Sequence, residues 1–316
     1  MTPLATPPVR PSLPLTEPQE RVLKAVNALP FSSAQEVWRL VFPKGSLSSA
    51  RALLREMAGG EDGTDAYLCR VALPTRGNWP FLYVVGSRGA KYLRKIGVEV
   101  TWRARSYKVR HYSVSYLRHQ NAVAQLLTAL HCFCRECQGY QVVEVLSSYD
   151  CLREPPRTKV VTNGQEATVS VLPDLWVYVE QVATGRGIGL WFEVDNNGSE
   201  GRKKFQHLLR ARLAMFRNGY ADYFGTSSLL CCYLVTGDAA ENPARRKSRL
   251  RALCRWTKEI LEQEELEDWA SVFRFAVVKE DIYTTPLWSA PVWYRPYSFH
   301  RVRLFEAITP RRQGDS

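Results

Sequence analysis

The chain has 316 residues and a mass of 36.1 kDa, with 45% hydrophobic, 23% charged and 11% aromatic residues, enough to bury one large core or two modest ones. That composition excludes intrinsic disorder for most of its length. No stretch approaches the roughly 18 apolar residues of a membrane helix, and the opening Met1-Thr2-Pro3-Leu4 lacks the build of a secretory signal, so a cytoplasmic protein without a membrane partner is expected.

The net charge of +12 is unevenly spread. Residues 1–120 hold 18 Lys and Arg against 8 Asp and Glu, whereas the remainder is nearly balanced. The N-terminal third therefore carries a field suited to a polyanion, and nucleic acid is the first partner to consider.

Residues 1–14, with five prolines, read as an extended leader. Thr16-Glu17-Pro18-Gln19 has the form of a capping box, and Val22, Leu23, Val26 and Leu29 follow at helical spacing. Ser33-Ala34-Gln35-Glu36 repeats the signature before a short helix through Val37, Leu40 and Val41. Ser46 caps a third helix with the stripe Leu47, Ala50, Leu53, Leu54 and Met57, stopped by Gly59-Gly60. Two β-rich runs, 67–73 and 81–86, flank a polar tip at 74–80, and a further helix covers 87–96.

Three helices and a hairpin are the order of a winged helix-turn-helix, whose third helix enters the major groove of duplex DNA. Ser48, Ser49, Arg51 and Arg55 lie off the buried stripe of that helix, and Lys44 and Arg76 flank them as phosphate contacts. These six are the candidate DNA-binding residues. The domain is expected over 15–100. A basic, aromatic linker over 101–114 then leads to a second domain over 115–306, and 307–316 is a tail.

The second domain opens with a helix over 115–137 whose face carries Val123, Leu126, Leu127, Leu130, Cys134 and Cys137. That face makes Cys134 and Cys137 core thiols, although Cys132, Cys134, Cys137 and Cys151 together could also ligate a soft metal. Strands at 141–146, 169–181 and 188–194, a helix over 199–217, a strand at 229–236, a helix over 243–261 and a strand at 272–278 make an α/β core with a mixed sheet. A basic run, 244–251, and a tail of rings and bases, 293–303, remain. Each suits either phosphate and base contacts or a structural role.

Acidic residues stand where neighbouring strands would juxtapose them: Asp174 in the second strand, and Glu193 and Asp195 on one face of the third. Clustered carboxylates need a counter-charge, and Mg²⁺ or Mn²⁺ is the usual one, able to polarise a phosphodiester and activate water. Alternatively, Pro173-Asp174 is a bulge and 195–198 only a turn.

Pro173-Asp174 followed by Glu193-Val194-Asp195 resembles the PD-(D/E)xK nucleases, in which an Asp and a Glu on adjacent strands bind metal and a Lys two residues on helps activate water. Here Asp195 occupies the Lys position, and Lys203 or Lys204 on the next helix would supply a migrated ammonium group. The whole layout is similar to the replication-relaxation proteins of plasmids and integrated elements. The resemblance rests on Leu15-Thr16-Glu17-Pro18-Gln19, Tyr83-Val84-Val85-Gly86-Ser87-Arg88-Gly89, His119, the acidic motifs and Trp293. It implies a winged helix joined to a nuclease-like domain that acts on mobile-element DNA, with other replication or transfer proteins as further partners. In one reading Asp174, Glu193 and Asp195 hold a metal and Lys203 or Lys204 assists hydrolysis. In the other, a degenerate nuclease fold grips DNA without chemistry. A phosphate-binding GxxxxGK[ST] loop, a metal-binding His cluster and a distinguishable tyrosine nucleophile are all missing, which disfavours an ATP-driven motor and a relaxase proper.

Overall fold

In a computed structural model the described residues are 15–58, 66–72, 80–101, 112–162, 165–196, 201–236, 243–278 and 281–307. The leader, Gly59-Gly60, most of the tip at 74–80 with Arg76, the linker over 102–111, the segment 197–200 and the tail lie outside them.

The N-terminal unit runs α1 (Glu17–Ala28), β1 (Ser32–Ser33), α2 (Ala34–Val41), α3 (Leu47–Ala58), β2 (Leu68–Val71), β3 (Leu82–Val85) and α4 (Ser87–Lys95). The caps form as the sequence requires. The Thr16 N–H donates to Gln19 Oε1 at 2.9 Å, the Ser33 N–H to Glu36 Oε2 at 2.6 Å, and the Ser49 N–H to Ser46 Oγ at 3.1 Å. Val22, Leu23, Val26, Val37, Leu54 and Met57 meet Leu68, Tyr83, Val85 and Leu93 in one core. Strand β1 has no pattern long enough to be read from sequence. It adds to β3, which becomes the centre of a three-stranded antiparallel sheet, β1-β3-β2. Gly89 is required where α4 crosses the chain, since a Cβ there would lie 2.1 Å from the Tyr67 carbonyl oxygen.

The second unit is built on a seven-stranded sheet. Its first half comprises α5 (Val114–Cys137), β4 (Tyr140–Ser147), a short α6 (Ser148–Cys151), β5 (Arg157–Thr162), β6 (Gln165–Ser170), β7 (Leu175–Gln181) and β8 (Arg186–Asp195). Then come α7 (Arg202–Asn218), α8 (Tyr220–Phe224), β9 (Leu229–Val235), α9 (Pro243–Gln263), β10 (Phe273–Val277), β11 (Trp293–Arg295) and β12 (Ser298–Val302). The sheet order is β12-β11-β10-β9-β8-β7-β4. β4, β7 and β8 form an antiparallel meander, whereas β8, β9 and β10 run parallel through crossover helices. The expected α/β class and mixed sheet are therefore present.

Alternation along the central strands sorts the two faces. Val177, Leu190, Phe192, Cys232 and Leu234 pack under Ala124, Leu127 and Leu130 of α5. Trp176, Trp191, Cys231 and Tyr233 face Phe205, Leu209 and Phe216 of α7 and Leu253 of α9. The anticipated single strand over 169–181 is instead two. β6 pairs only with β5, 171–174 carry no ladder, and Asp174 stands immediately before β7, not inside a strand. Pro173 has no N–H to give a ladder, which is one reason for the break. Cys137 also departs from expectation: Cys132 and Cys134 are buried but Cys137 is exposed.

The two units meet at a buried carboxylate. Glu36, fully buried in α2, accepts from the Ser33 N–H, from Asn121 Nδ2 of α5 at 3.3 Å and from the Tyr283 hydroxyl at 2.8 Å. Burial, then the Glu36 charge, pushes the Tyr283 phenol up, which keeps it a donor at any physiological pH. The Arg39 guanidinium lies 4.0 Å from the centroid of the same ring. Glu36→Ala, which strands three donors, is expected to cost about 3 kcal/mol in urea unfolding, and Tyr283→Phe about half as much.

Candidate nucleic-acid and acidic sites

A cavity of about 640 Å³ opens beside the Asp195 end of β8. Its walls carry Tyr116 and His119 from α5, Asp174, Glu193, Asp195 and Asn196 from the sheet, Lys204 and Arg212 from α7, and Arg249 from α9. The tertiary structure thus brings together all three carboxylates singled out in the sequence. It brings in Lys204 but not Lys203, which is exposed on the first turn of α7 and does not line the cavity.

Asp174 grips the neighbouring strand twice. Its N–H donates to the Phe192 carbonyl at 3.1 Å, and its Oδ2 accepts the Val194 N–H at 2.7 Å. Oδ1 lies 3.1 Å from His119 Nε2. Burial acts to lower the His119 pKa, but the hydrogen bond and charge of Asp174, with Glu193 beyond it, outweigh burial and hold it above the ordinary histidine value.

Glu193 and Asp195 point to the α7 and α9 face because they share the parity of Trp191. Glu193 Oε1 accepts from Trp191 Nε1 at 2.7 Å, and Oε2 pairs with Arg212 Nη2 at 2.6 Å. The Arg212 and Glu193 side chains are only 7% and 12% exposed, so this is a nearly dry ion pair. Arg212 Nη1 also donates to the Tyr233 hydroxyl at 2.9 Å. Burial drives the Tyr233 phenol well up despite the guanidinium beside it, so it stays protonated. Asp195 Oδ2 pairs with Arg249 Nε at 2.5 Å.

The counter-charge expected of a divalent ion is therefore provided by Arg212 and Arg249, while His119 holds Asp174 by a hydrogen bond, one residue from each of three helices. A metal would have to displace these partners, and among the described residues no group of three or more His, Cys, Asp or Glu is placed to hold one. As arranged, the donor set does not fit a metal ion. The same holds for the cysteines. Burial pushes the Cys134 thiol up to about 12 and the Cys151 thiol to about 11, the reverse of what a ligating thiolate needs.

On the N-terminal unit, Lys44, Ser48, Ser49, Arg51 and Arg55 are all exposed, on α3 or just before it. The Ser48 and Ser49 hydroxyls each lie 2.8 Å from Ser46 Oγ. Burial raises the Tyr83 phenol, while the charges of Arg70, Arg55 and Arg51 pull against that rise, so these three arginines share one neighbourhood. Arg70 escaped the sequence reading. Its signal is that it is the one exposed residue of β2, and its guanidinium lies 4.4 Å from the ring centroid of the exposed Phe81. His119 and the two arginines of the acidic site were likewise not read as carboxylate partners.

Fold and cavity define a mixed α/β protein with a four-helix N-terminal unit and an acidic, arginine-paired site on a large mixed sheet. The replication-relaxation family model matches residues 23–230, about two thirds of the chain, and the protein belongs to that family. Its role accordingly lies in replication or relaxation of plasmid or mobile-element DNA. The match reaches from α1 to the second residue of β9 and includes all three carboxylates. No curated protein and no solved structure matches the chain. Among the described residues no helix is long and apolar enough to cross a membrane.

Two outcomes follow from the pairings. Arg212→Ala leaves the Glu193 charge buried alone and should cost about 3–5 kcal/mol in urea unfolding, whereas the double change Arg212→Met with Glu193→Leu should cost less than either single one. The His119 ring should titrate by NMR above the ordinary histidine value, and lower in Asp174→Asn, where burial is opposed only by the Glu193 charge and the Val194 backbone. Because its folded value is raised, the stability His119 contributes is full below about pH 6.5 and is lost as pH rises through the folded value.

Proposed function

We propose that this protein binds mobile-element DNA as a non-catalytic member of the replication-relaxation machinery. In this reading the N-terminal unit is a winged helix that meets duplex DNA through α3, and the second unit is a PD-(D/E)xK-type fold that holds DNA without hydrolysing it. The element order helix, strand, helix, helix, hairpin supports the first part, together with the exposed Lys44, Ser48, Ser49, Arg51 and Arg55. Arg70 extends that face. The support for the second part is Asp174, immediately before β7, held against Glu193's strand β8, to which β7 pairs antiparallel.

The observation that carries the non-catalytic reading is the Glu193–Arg212 pair. Both Glu193 oxygens are engaged, and opening the pair to a metal would strand a buried guanidinium at a cost of about 3–5 kcal/mol. At the position where the nucleases carry a lysine, Asp195 instead receives Arg249. Asn196 lines the cavity with a buried Nδ2 that has no partner among the described residues, a donor that a phosphate oxygen would satisfy. The second reading, a Mg²⁺- or Mn²⁺-dependent endonuclease using Asp174, Glu193, Asp195 and Lys204, is favoured by their sharing one cavity. In both readings the partner is duplex DNA, with other replication or transfer proteins recruited to it.

Supercoiled plasmid incubated with the protein and Mg²⁺ or Mn²⁺ is expected to stay supercoiled. Nicking by the wild type that Asp174→Ala and Glu193→Ala both lose would overturn the non-catalytic reading and establish the nuclease. Duplex binding followed by anisotropy should weaken in Arg51→Gln/Arg55→Gln, with a plot of log affinity against log salt shallower by about 2. Unchanged duplex affinity in that variant would remove α3 from the interface.

A further inference from the structure

Helix α9 stands between two cavities. Arg249 and Leu253 line the acidic one, while Arg246, Lys247 and Leu250 line another of about 920 Å³. Residues three and four apart share a flank of a helix, so Arg246 and Lys247 go with Leu250 on one side of α9 and Arg249 with Leu253 on the other. The opposite wall of the second cavity comes from β11, β12 and the 284–286 turn, including Tyr294 and Arg301. Arg246 and Lys247 of the basic run 244–251, the part of it that does not enter the acidic site, and Val292, Tyr294 and Arg301 in or beside the ring-and-base tail 293–303 thus converge on one groove.

Its chemistry is specific. Arg246, Lys247 and Arg301 supply three cations, and among the described residues no Asp or Glu lines it. Leu250, Val277 and Val292 make an apolar floor. Tyr294 is half-buried, its hydroxyl accepts from Arg301 Nε at 2.8 Å, and the Arg301 guanidinium stands 5.6 Å from the ring centroid. The ring is therefore held in place beside a positive charge. A ligand that satisfies this groove needs several negative charges and flat apolar faces on the same molecule. An intact duplex offers the charges but keeps its base faces stacked inside, whereas a single strand offers both.

We propose that this groove binds single-stranded DNA, with phosphates on Arg246, Lys247 and Arg301 and a base against Tyr294 and the apolar floor. The groove lies beyond residues 23–230, so it is not part of what the family match covers. That the polynucleotide is DNA rests on the proposed function. Because α9 separates the two cavities, a strand leaving the groove across this helix passes directly to the acidic cavity, which places a single-strand site next to the nuclease-like one.

Fluorescein-labelled oligothymidine titrated into the full-length protein tests this by anisotropy at several salt concentrations. Lys247→Gln/Arg301→Gln changes two exposed side chains. It should weaken oligothymidine binding about tenfold, with a salt dependence shallower by about 1.4. Its duplex affinity should stay within about twofold and its thermal melt should not move. Arg51→Gln/Arg55→Gln should show the reverse pattern. Oligothymidine affinity unchanged in Lys247→Gln/Arg301→Gln, no oligothymidine binding by the wild type, or an equal loss of single- and double-strand binding would each overturn the proposal while leaving the α3 interface to its own variant. Photocrosslinking of bromodeoxyuridine-substituted oligothymidine should yield peptides containing Tyr294, and crosslinks confined to other segments would count against the groove.

Discussion

A carboxylate with almost no access to water needs a cation at hand, and the arrangement around β8 follows from how Glu193 finds one. Its side chain lies on the face of the sheet that α7 covers, and only a long guanidinium can leave the core of that helix and still reach the strand edge. Arg212 does so from among Phe205, Leu209 and Phe216, which bury the pair. One turn of the strand's alternation further, Asp195 makes the same demand of α9, and Arg249 meets it. The three central elements are therefore joined by charge as well as by apolar packing, and the charge decides what the cavity can hold. Buried ion pairs of this kind contribute little net stability but penalise their separation heavily, which makes them good determinants of arrangement.

The junction between the two units uses the same physics with neutral partners. Glu36 caps its own helix, as its sequence position dictates, and then accepts from Asn121 and Tyr283, far away in the chain. One carboxylate thus closes a local helix start and fixes the N-terminal unit against α5. Phe31 reinforces this contact: its ring packs edge-on against Tyr116, and its carbonyl accepts from Asn121. The basic face of α3 is consequently presented by a unit with its own core and a definite attachment to the large sheet.

Positive charge is distributed to match. The α3 face is separate, whereas the acidic cavity and the groove lie on two sides of α9; the family match covers the α3 face and the three carboxylates but not Arg249 or the groove. In the cavity Arg212 and Arg249 are paired with internal acids, whereas among the described residues no acid lines the groove. This contrast is the physical basis for assigning the groove, and not the acidic cavity, to an anionic strand.

The sequence by itself determined the elements and their sidedness. Capping residues at Thr16, Ser33 and Ser46, the bounds of α5 and the alternation of β7 to β10 are local signals, written within a few residues of where they act. The excess of base in the first 120 residues was equally legible, as were Asp174, Glu193 and Asp195 as acids that the sheet would bring together. Only the tertiary structure decided what those acids do. Arg212 and Arg249 carry no mark in the chain that pairs them with Glu193 and Asp195, because an ion pair between distant positions depends on which helix crosses which strand and at what height. The same reason hid β1, which exists only because β3 offers it an edge, and the break at Asp174, where β6 finds its partner in β5 and leaves the main sheet. It also hid the groove, whose walls come from segments some forty residues apart. Local patterns fix what each segment is, but the function of a charged side chain is set by its neighbours in space, and folding alone chooses those.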